Sequence, residues 1–228
     1  MLEPAEWAAL LLSLKVSSVA VICALPPAIA VAWLLARRRF WGHGALSALV
    51  HLPLVLPPVV TGYLLLLTFG RNGAVGSFLA EMGIVLAFRW TGAALAAGIM
   101  GFPLMVRAIR LSIEAVDPKL EEAAATLGAG RWAGFCRVTL PLIAPGILAG
   151  AVLGFAKAMG EFGATITFVA NIPGQTQTLP SAIYAFLQVP GGDASALRLV
   201  VLATVVALGA VLISEWLARK VAARVGGI

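Results

Sequence analysis

The sequence predicts an all-α integral membrane protein with about five transmembrane helices and a cytoplasmic two-helix segment. Three observations predict it. Hydrophobic residues make up 61% of the 228 and charged residues only 11%, against about a quarter charged in soluble domains. The apolar residues are gathered into runs of the ~20 residues that a helix needs to cross a bilayer. One stretch, 110–140, breaks this pattern, being Gly-punctuated, too short for a domain and too charged for lipid.

The first run, 8–36, follows Glu3 and Glu6 and is closed by Arg37, Arg38 and Arg39. That charge order is the reverse of a secretory signal peptide, so the segment is expected to stay as an anchor. The runs 45–69, 90–109, 142–159 and 196–217 complete five crossings and a membrane domain over 8–217. Prolines recur in them: Pro26 and Pro27, then Pro53, Pro57 and Pro58, then Pro103, then Pro141 and Pro145. Proline removes a backbone donor, and at membrane depth the freed carbonyl is tolerated only against protein or a water-filled cavity. The breaks therefore hint at a pathway, although membrane helices in general are rich in Pro and Gly. "LPLVLPP" (52–58) and "LPLIAPG" (140–146) echo one another and read as one device used to enter two spans. Between the fourth and fifth runs, "FGATITFVA" (162–170) is about half a crossing as helix. The region 160–195 is expected to dip into or lie flat on the outer face and then continue as a loop.

Orientation follows from Lys and Arg, which stay on the cytoplasmic side of short loops. Of the 16, positions 37, 38, 39, 107, 110, 119, 131, 137, 219, 220 and 224 fall on one side and positions 15, 71, 89, 157 and 198 on the other. The N-terminus is expected outside and the C-terminus in the cytoplasm. The net charge of +6 is mostly this bias, and no nucleic-acid surface is expected. Cys23 and Cys136 fall in different compartments and cannot bridge. His43 and His51 have no Cys, Asp or Glu at ligand spacing, so no metal site is expected.

Within the polar segment, Asp117 before Pro118 is a helix start, a capping carboxylate followed by proline in the first turn. "KLEEAAATL" is strong helix former, and Gly128 stands where a helix ends in a left-handed residue. Leu120, Ala123, Ala124 and Leu127 share one face. A second short helix, "RWAGFCRVT", is expected to present Trp132, Phe135, Cys136 and Thr139 before "LP" re-enters the membrane. A solvated loop is the plainer reading of this stretch; the spacing of its residues favours the other.

Glu122, Ala123, Ala124, Gly128, Val138, Leu140 and Pro141 fill the pattern E-A-A, three residues, G, nine residues, an aliphatic, one residue, L-P, with Val where Ile is most usual. This resembles the cytoplasmic coupling motif of the permease subunits of binding-protein-dependent ABC importers, the type I (MetI-like) family. "LVHLPLVLPPVVTGYLLLL" (49–67), "FPLMVRAIR" (102–110), "DPKLEEAAATLGAG" (117–130) and "GEFGATITFVANIPGQTQTLPSAIY" (160–184) extend the likeness over 8–217 and are similar to molybdate permeases. Sulfate permeases are similar around "GEFGA". The chain differs from relatives with an additional N-terminal span, which bears only on how that helix would wrap around the partner.

The resemblance implies a homodimer in a bacterial inner membrane, two cytoplasmic ABC ATPase subunits docked below it, and an extracytoplasmic oxyanion-binding protein delivering molybdate above. Tungstate and sulfate or thiosulfate are the alternative cargoes. It implies ATP use by the partner and no cofactor on this chain. No G-x-x-x-x-G-K-[ST] phosphate loop occurs in the sequence, so energy would arrive through contact. The coupling set is Asp117, Glu121, Glu122, Ala123, Ala124, Gly128, Leu140 and Pro141. The path or outer gate is expected at Pro57, Pro58, Thr61, Lys157, Glu161 and Gly163. Lys157 and Glu161, spaced i, i+4, sit about 24 and 30 Å up the fourth run. They would line the outer mouth, with room for a dimer partner left by Gly154, Gly160 and Gly163. The alternative is that Lys157 snorkels to the headgroups and Glu161 caps a helix break. No catalytic residue is expected. A membrane-embedded enzyme would need a nucleophile with a base or a metal cluster, and a channel would need polar rings; neither pattern is visible in the spans.

Overall fold

The computed structural model describes residues 3–225, and every regular element among them is a helix. α1 (Pro4–Arg37) and α5 (Trp90–Glu114) run side by side in the same direction. A Cβ on Gly98 would stand 3.5 Å from Ala20 O, and at the far end Arg37 Nη2 donates to Val116 O at 3.1 Å. α8 (Leu140–Met159) packs antiparallel on α5. Gly150 and Gly154 recur one turn apart and face Met105, while Gly101 faces Gly154 at a Cβ distance of 3.1 Å from its carbonyl oxygen. Small residues at this spacing let two backbones approach closely, which is how helices gain van der Waals contact where lipid supplies no hydrophobic drive. The expectation that Gly154 and Gly163 await a dimer partner is thereby corrected. Gly154 is covered by Met105 and Gly163 by Pro58 of the same chain.

The second run is not one straight helix. α2 (His43–Val55) and α3 (Pro58–Phe69) meet at 113°. A residue before proline is pushed out of the helical region, and with two prolines in a row both Leu56 (ψ 142) and Pro57 (ψ 134) are extended before Pro58 restarts the helix. The tandem Pro26 and Pro27 leave α1 unbroken. The difference lies in packing: α1 is gripped above and below its prolines by α5, through Ala20 on one side and Ala28 and Ala32 on the other. At the α2–α3 break the two halves have different partners. Val50 of α2 packs with Met105 and Val106, whereas Gly62 of α3 lies against Ala164. The bent pair still reaches from one end of the bundle to the other, because His43 Nε2 bonds Leu35 O at 2.9 Å and Leu65 packs with Val16, Ala93 and Phe168. Among the described residues, four helices are long and apolar enough to cross a membrane, or up to five crossings if the bent pair counts as one.

"LPLVLPP" and "LPLIAPG" accordingly do different things: the first breaks a crossing, the second lies inside a helix that runs on. The expected second helix of the polar segment is also not separate. α7 (Arg131–Gly134) passes through a π-helical turn (Phe135–Thr139) straight into α8. Leu140 N–H reaches back five residues to Phe135 O. The cause is Pro141, which has no N–H to give and whose ring clashes with the carbonyl four residues before it, so the turn widens by one residue.

After α3, the short α4 (Gly76–Glu81) leads to α5, and α6 (Pro118–Thr126) precedes α7. Beyond α8 come α9 (Gly163–Val169), α10 (Leu179–Leu187) and α11 (Asp193–Val225). α10 occupies part of what was expected to be loop, and Leu179 N–H donates to Ser13 Oγ at 2.6 Å. The start of α11 is tied to the start of α1, with Arg198 Nη2 2.8 Å from the buried Glu6 and 3.3 Å from Glu3. One end of the bundle thus holds residues 3–6, 157–163 and 193–198, and the other holds Arg37, Val116, Glu121 and Thr139.

Candidate functional site

At that second end, α6 is a complete short helix. Asp117 Oδ1 accepts from Lys119 N–H at 3.0 Å, satisfying one of the donors that a helix start leaves free. At the other terminus, Gly128 adopts φ +86. Its N–H bonds Ala125 O and the next N–H, of Ala129, bonds Ala124 O, both at 3.0 Å, which is the pairing that a left-handed C′ residue makes possible. No residue of α6 is buried. Leu120 and Leu127 of the expected apolar face are exposed, Leu127 at 89%, so most of that face is left uncovered by the described residues.

The two adjacent glutamates point to different surroundings. Glu122 is exposed. Glu121 turns toward the bundle, where its Oε1 accepts from Arg37 Nη2 at 3.3 Å and from Thr139 Oγ1 at 2.7 Å. Thr139 can reach because the π turn sets it inward and buried, while Trp132 stays 78% exposed and stacks on Phe135 at 5.9 Å. The expected common face of Trp132, Phe135, Cys136 and Thr139 is therefore divided. Leu140 is half-buried and Pro141 exposed. Ala124 is half-buried and Ala123 exposed.

At the opposite end, five of the six residues expected at the path meet around the start of α9. Pro58 stands against Gly163, where an added Cβ would lie 2.7 Å from its own Cβ. One turn on, Thr61 is buried with its hydroxyl unpaired among the described residues. Glu161 is buried and doubly held: Lys157 Nζ is 2.7 Å from Oε2, and Ala164 N–H donates to Oε1 at 2.9 Å. Lys157 keeps 29% of its side-chain exposure. Pro57 faces outward at the break. Glu161 is thus an internal brace closing the α8–α9 break, and the exposed charge of the pair belongs to Lys157.

A groove of about 700 Å³ lies between α1, α2 and α5 and is lined by Cys23, Leu49 and Ile99 among others. Each of these stands four residues before a proline, Pro27, Pro53 and Pro103, so each has a carbonyl without its helical donor. Three interrupted ladders, on three helices, border one apolar space. The sequence displayed the prolines but not their convergence. Among the described residues no group of His, Cys, Asp and Glu is arranged to hold a metal.

Comparison with known proteins adds the following. Residues 28–226 match the family model described as "Binding-protein-dependent transport system inner membrane component". The chain is 59% identical over 222 residues to the molybdenum transport system permease protein ModB of Escherichia coli K12, covering 97% of both. It is 52% identical to the protein of the same name from Haemophilus influenzae, again covering 97% of both. The sulfate transport system permease protein CysT of E. coli K12 is 41% identical over 158 residues, 69% of this chain and 57% of that protein. Among solved structures, a bacterial ABC transporter involved in the import of alginate matches with TM-score 0.75 at 22% identity, covering 96% of this chain and 80% of that one. The MetNI methionine ABC transporter in an inward-facing form matches with TM-score 0.71 at 17% identity, covering 97% and 99%. These last two bear on the fold alone.

Proposed function

Because this chain belongs to the family of binding-protein-dependent transport system inner membrane components, we propose that it is the membrane-spanning permease subunit of an ABC importer for molybdate. The observation that supports the cargo is the 59% identity, over 97% of the chain, to a molybdenum permease. Two copies form the path in the inner membrane, with the N-terminus outside and the C-terminus in the cytoplasm. Two ATPase subunits dock below, and an oxyanion-binding protein delivers its load above.

The mechanism builds on the two ends of the bundle. The exposed face of α6, with Leu127 and Glu122 outward, is the surface offered to a cleft of the ATPase; Glu122 pairs there with a basic residue. ATP is bound and hydrolysed by that partner. Closure of the two ATPases moves the bundles as rigid bodies and switches access from inward to outward. At the outer end, the partly exposed Lys157 attracts a dianion released by the binding protein. Glu161, buried beneath it, offsets the charge enough to prevent trapping. Likeness to a sulfate permease over 69% of the chain favours a second reading in which sulfate, or another tetrahedral dianion such as tungstate, is carried. Complementation separates them. Cells lacking their own molybdate and sulfate permeases, given this chain with its ATPase and binding protein, should regain accumulation of molybdenum at nanomolar external molybdate, and excess sulfate should not suppress it. Suppression by equimolar sulfate would favour the second reading.

A further inference from the structure

Three segments distant in sequence meet at one carboxylate oxygen, Glu121 Oε1, which takes bonds from Arg37 at 3.3 Å and Thr139 at 2.7 Å. The side chains of Arg37 and Glu121 keep 14% and 32% of their exposure, and Thr139 is buried, so these charge-assisted bonds are shielded from most of the surrounding water. Among the described residues, no other side chain of α6 bonds to α1 or to the base of α8. With none of its residues buried, apolar packing adds little to holding it in place. Apart from the chain at its two ends, Glu121 is what ties it to α1 and to the base of α8.

Two details govern how this tie holds and how it lets go. Arg37 Nε is buried with no partner among the described residues, so the planar guanidinium keeps a donor in reserve along which the carboxylate can slide. The π turn holds one extra residue ahead of Pro141; losing it would rotate Thr139 by about 100° and take its hydroxyl off Glu121. We propose that Arg37, Glu121 and Thr139 form a joint that makes α1 and α8 follow α6, with Glu121 a positioning residue inside this chain and not a contact to the ATPase. The joint deepens the permease reading and rests on it. A push on α6 alone would otherwise be absorbed by the unpacked helix.

The test uses the full complex of this chain, its ATPase and its binding protein in liposomes, and reads molybdate taken up per ATP hydrolysed. Arg37→Met and Thr139→Val should each lower that ratio by roughly 2- to 30-fold, the range found along coupled networks, while ATPase binding is retained. Arg37→Met combined with Glu121→Gln should be no worse than Arg37→Met alone, because the two act as one unit. A second readout needs no cargo. In a chain lacking Cys23 and Cys136, spin labels on Arg38→Cys, the exposed residue that caps α1 through its N–H bond to Leu34 O, and on Lys119→Cys should keep a fixed separation between nucleotide-free and ATP-analogue-trapped complexes. Adding Arg37→Met should let the separation change with nucleotide. An unchanged uptake ratio, a double variant whose loss is the product of its singles, or a separation indifferent to Arg37→Met would overturn the joint. If the unmodified complex imports no oxyanion, the permease reading fails instead, and the label distances still decide whether α1 follows α6.

Discussion

Gly128→Val perturbs α6 through the backbone alone. At φ +86, an L-residue is strained, and no heavy atom lies within 4 Å of where its Cβ would stand, so there is no packing change to confuse the reading. The left-handed conformation costs an ordinary L-residue about 1–2 kcal/mol, and the variant escapes it only by giving up the bonds to Ala124 and Ala125. α6 is nine residues long with none of them buried, and an isolated helix of that length is marginal. The cost therefore passes to the fraction of chains whose α6 is formed, and apparent affinity falls with that fraction. The permease should bind its ATPase roughly 5- to 30-fold more weakly, the equivalent of 1–2 kcal/mol. Asp117→Ala, which removes the bond to Lys119 N–H, should cost about 1 kcal/mol or ~5-fold. Gly128→Asn should be nearly neutral, since Asn tolerates the left-handed region. Gly134→Ala is the control: Gly134 has helical φ −59 and open space around it. The assay is ATPase binding to the solubilised permease by titration, with uptake measured in parallel. Equal affinity for Gly128→Val and Gly134→Ala would refute the claim that the shape of α6 is what the partner reads.

Three further outcomes are expected. Single cysteines at Ser77 and Ala129, in a chain without Cys23 and Cys136, should react with a membrane-impermeant reagent from opposite sides; same-side labelling would remove the five-crossing topology. Gly154→Leu should force α5 and α8 apart, because even a Cβ there would be 2.8 Å from Met105 Sδ, lowering thermal stability in detergent by an overpacking cost of about 1–3 kcal/mol. Lys157→Gln and Lys157→Glu should slow uptake progressively with ATPase assembly intact, the second placing another carboxylate against buried Glu161; wild-type rates for Lys157→Glu at every external oxyanion concentration would exclude a role for that charge.

Much of this was legible in the sequence because the signals were local. Asp117-Pro118 and Gly128 mark both ends of α6 by side-chain capping and by a left-handed residue, and these depend on nothing beyond the segment. Apolar run length located the crossings. Tertiary choices were not legible. Tandem prolines occur at 26–27 and at 57–58, yet only the second pair breaks its helix, because α5 grips α1 along its length while α2 and α3 have different partners. The π turn is invisible to periodicity, which expects a fresh helix at Leu140. The division between Glu121 and Glu122 needed Arg37 and Thr139, residues 84 and 18 positions away. Glycine spacing at 146, 150 and 154 could have announced the contact with α5, the one missed signal present in the sequence itself.

The central claim is that force applied to α6 by an ATP-driven partner moves an oxyanion through this chain. Liposomes holding the chain and its ATPase, with ATP inside and loaded binding protein outside, measure it directly through molybdate uptake. Uptake should require ATP, the ATPase and the binding protein together, and Glu122→Lys on the exposed face of α6 should abolish it while the permease still inserts. Molybdate entry at the wild-type rate with Glu122→Lys, or entry without the ATPase, would contradict the account.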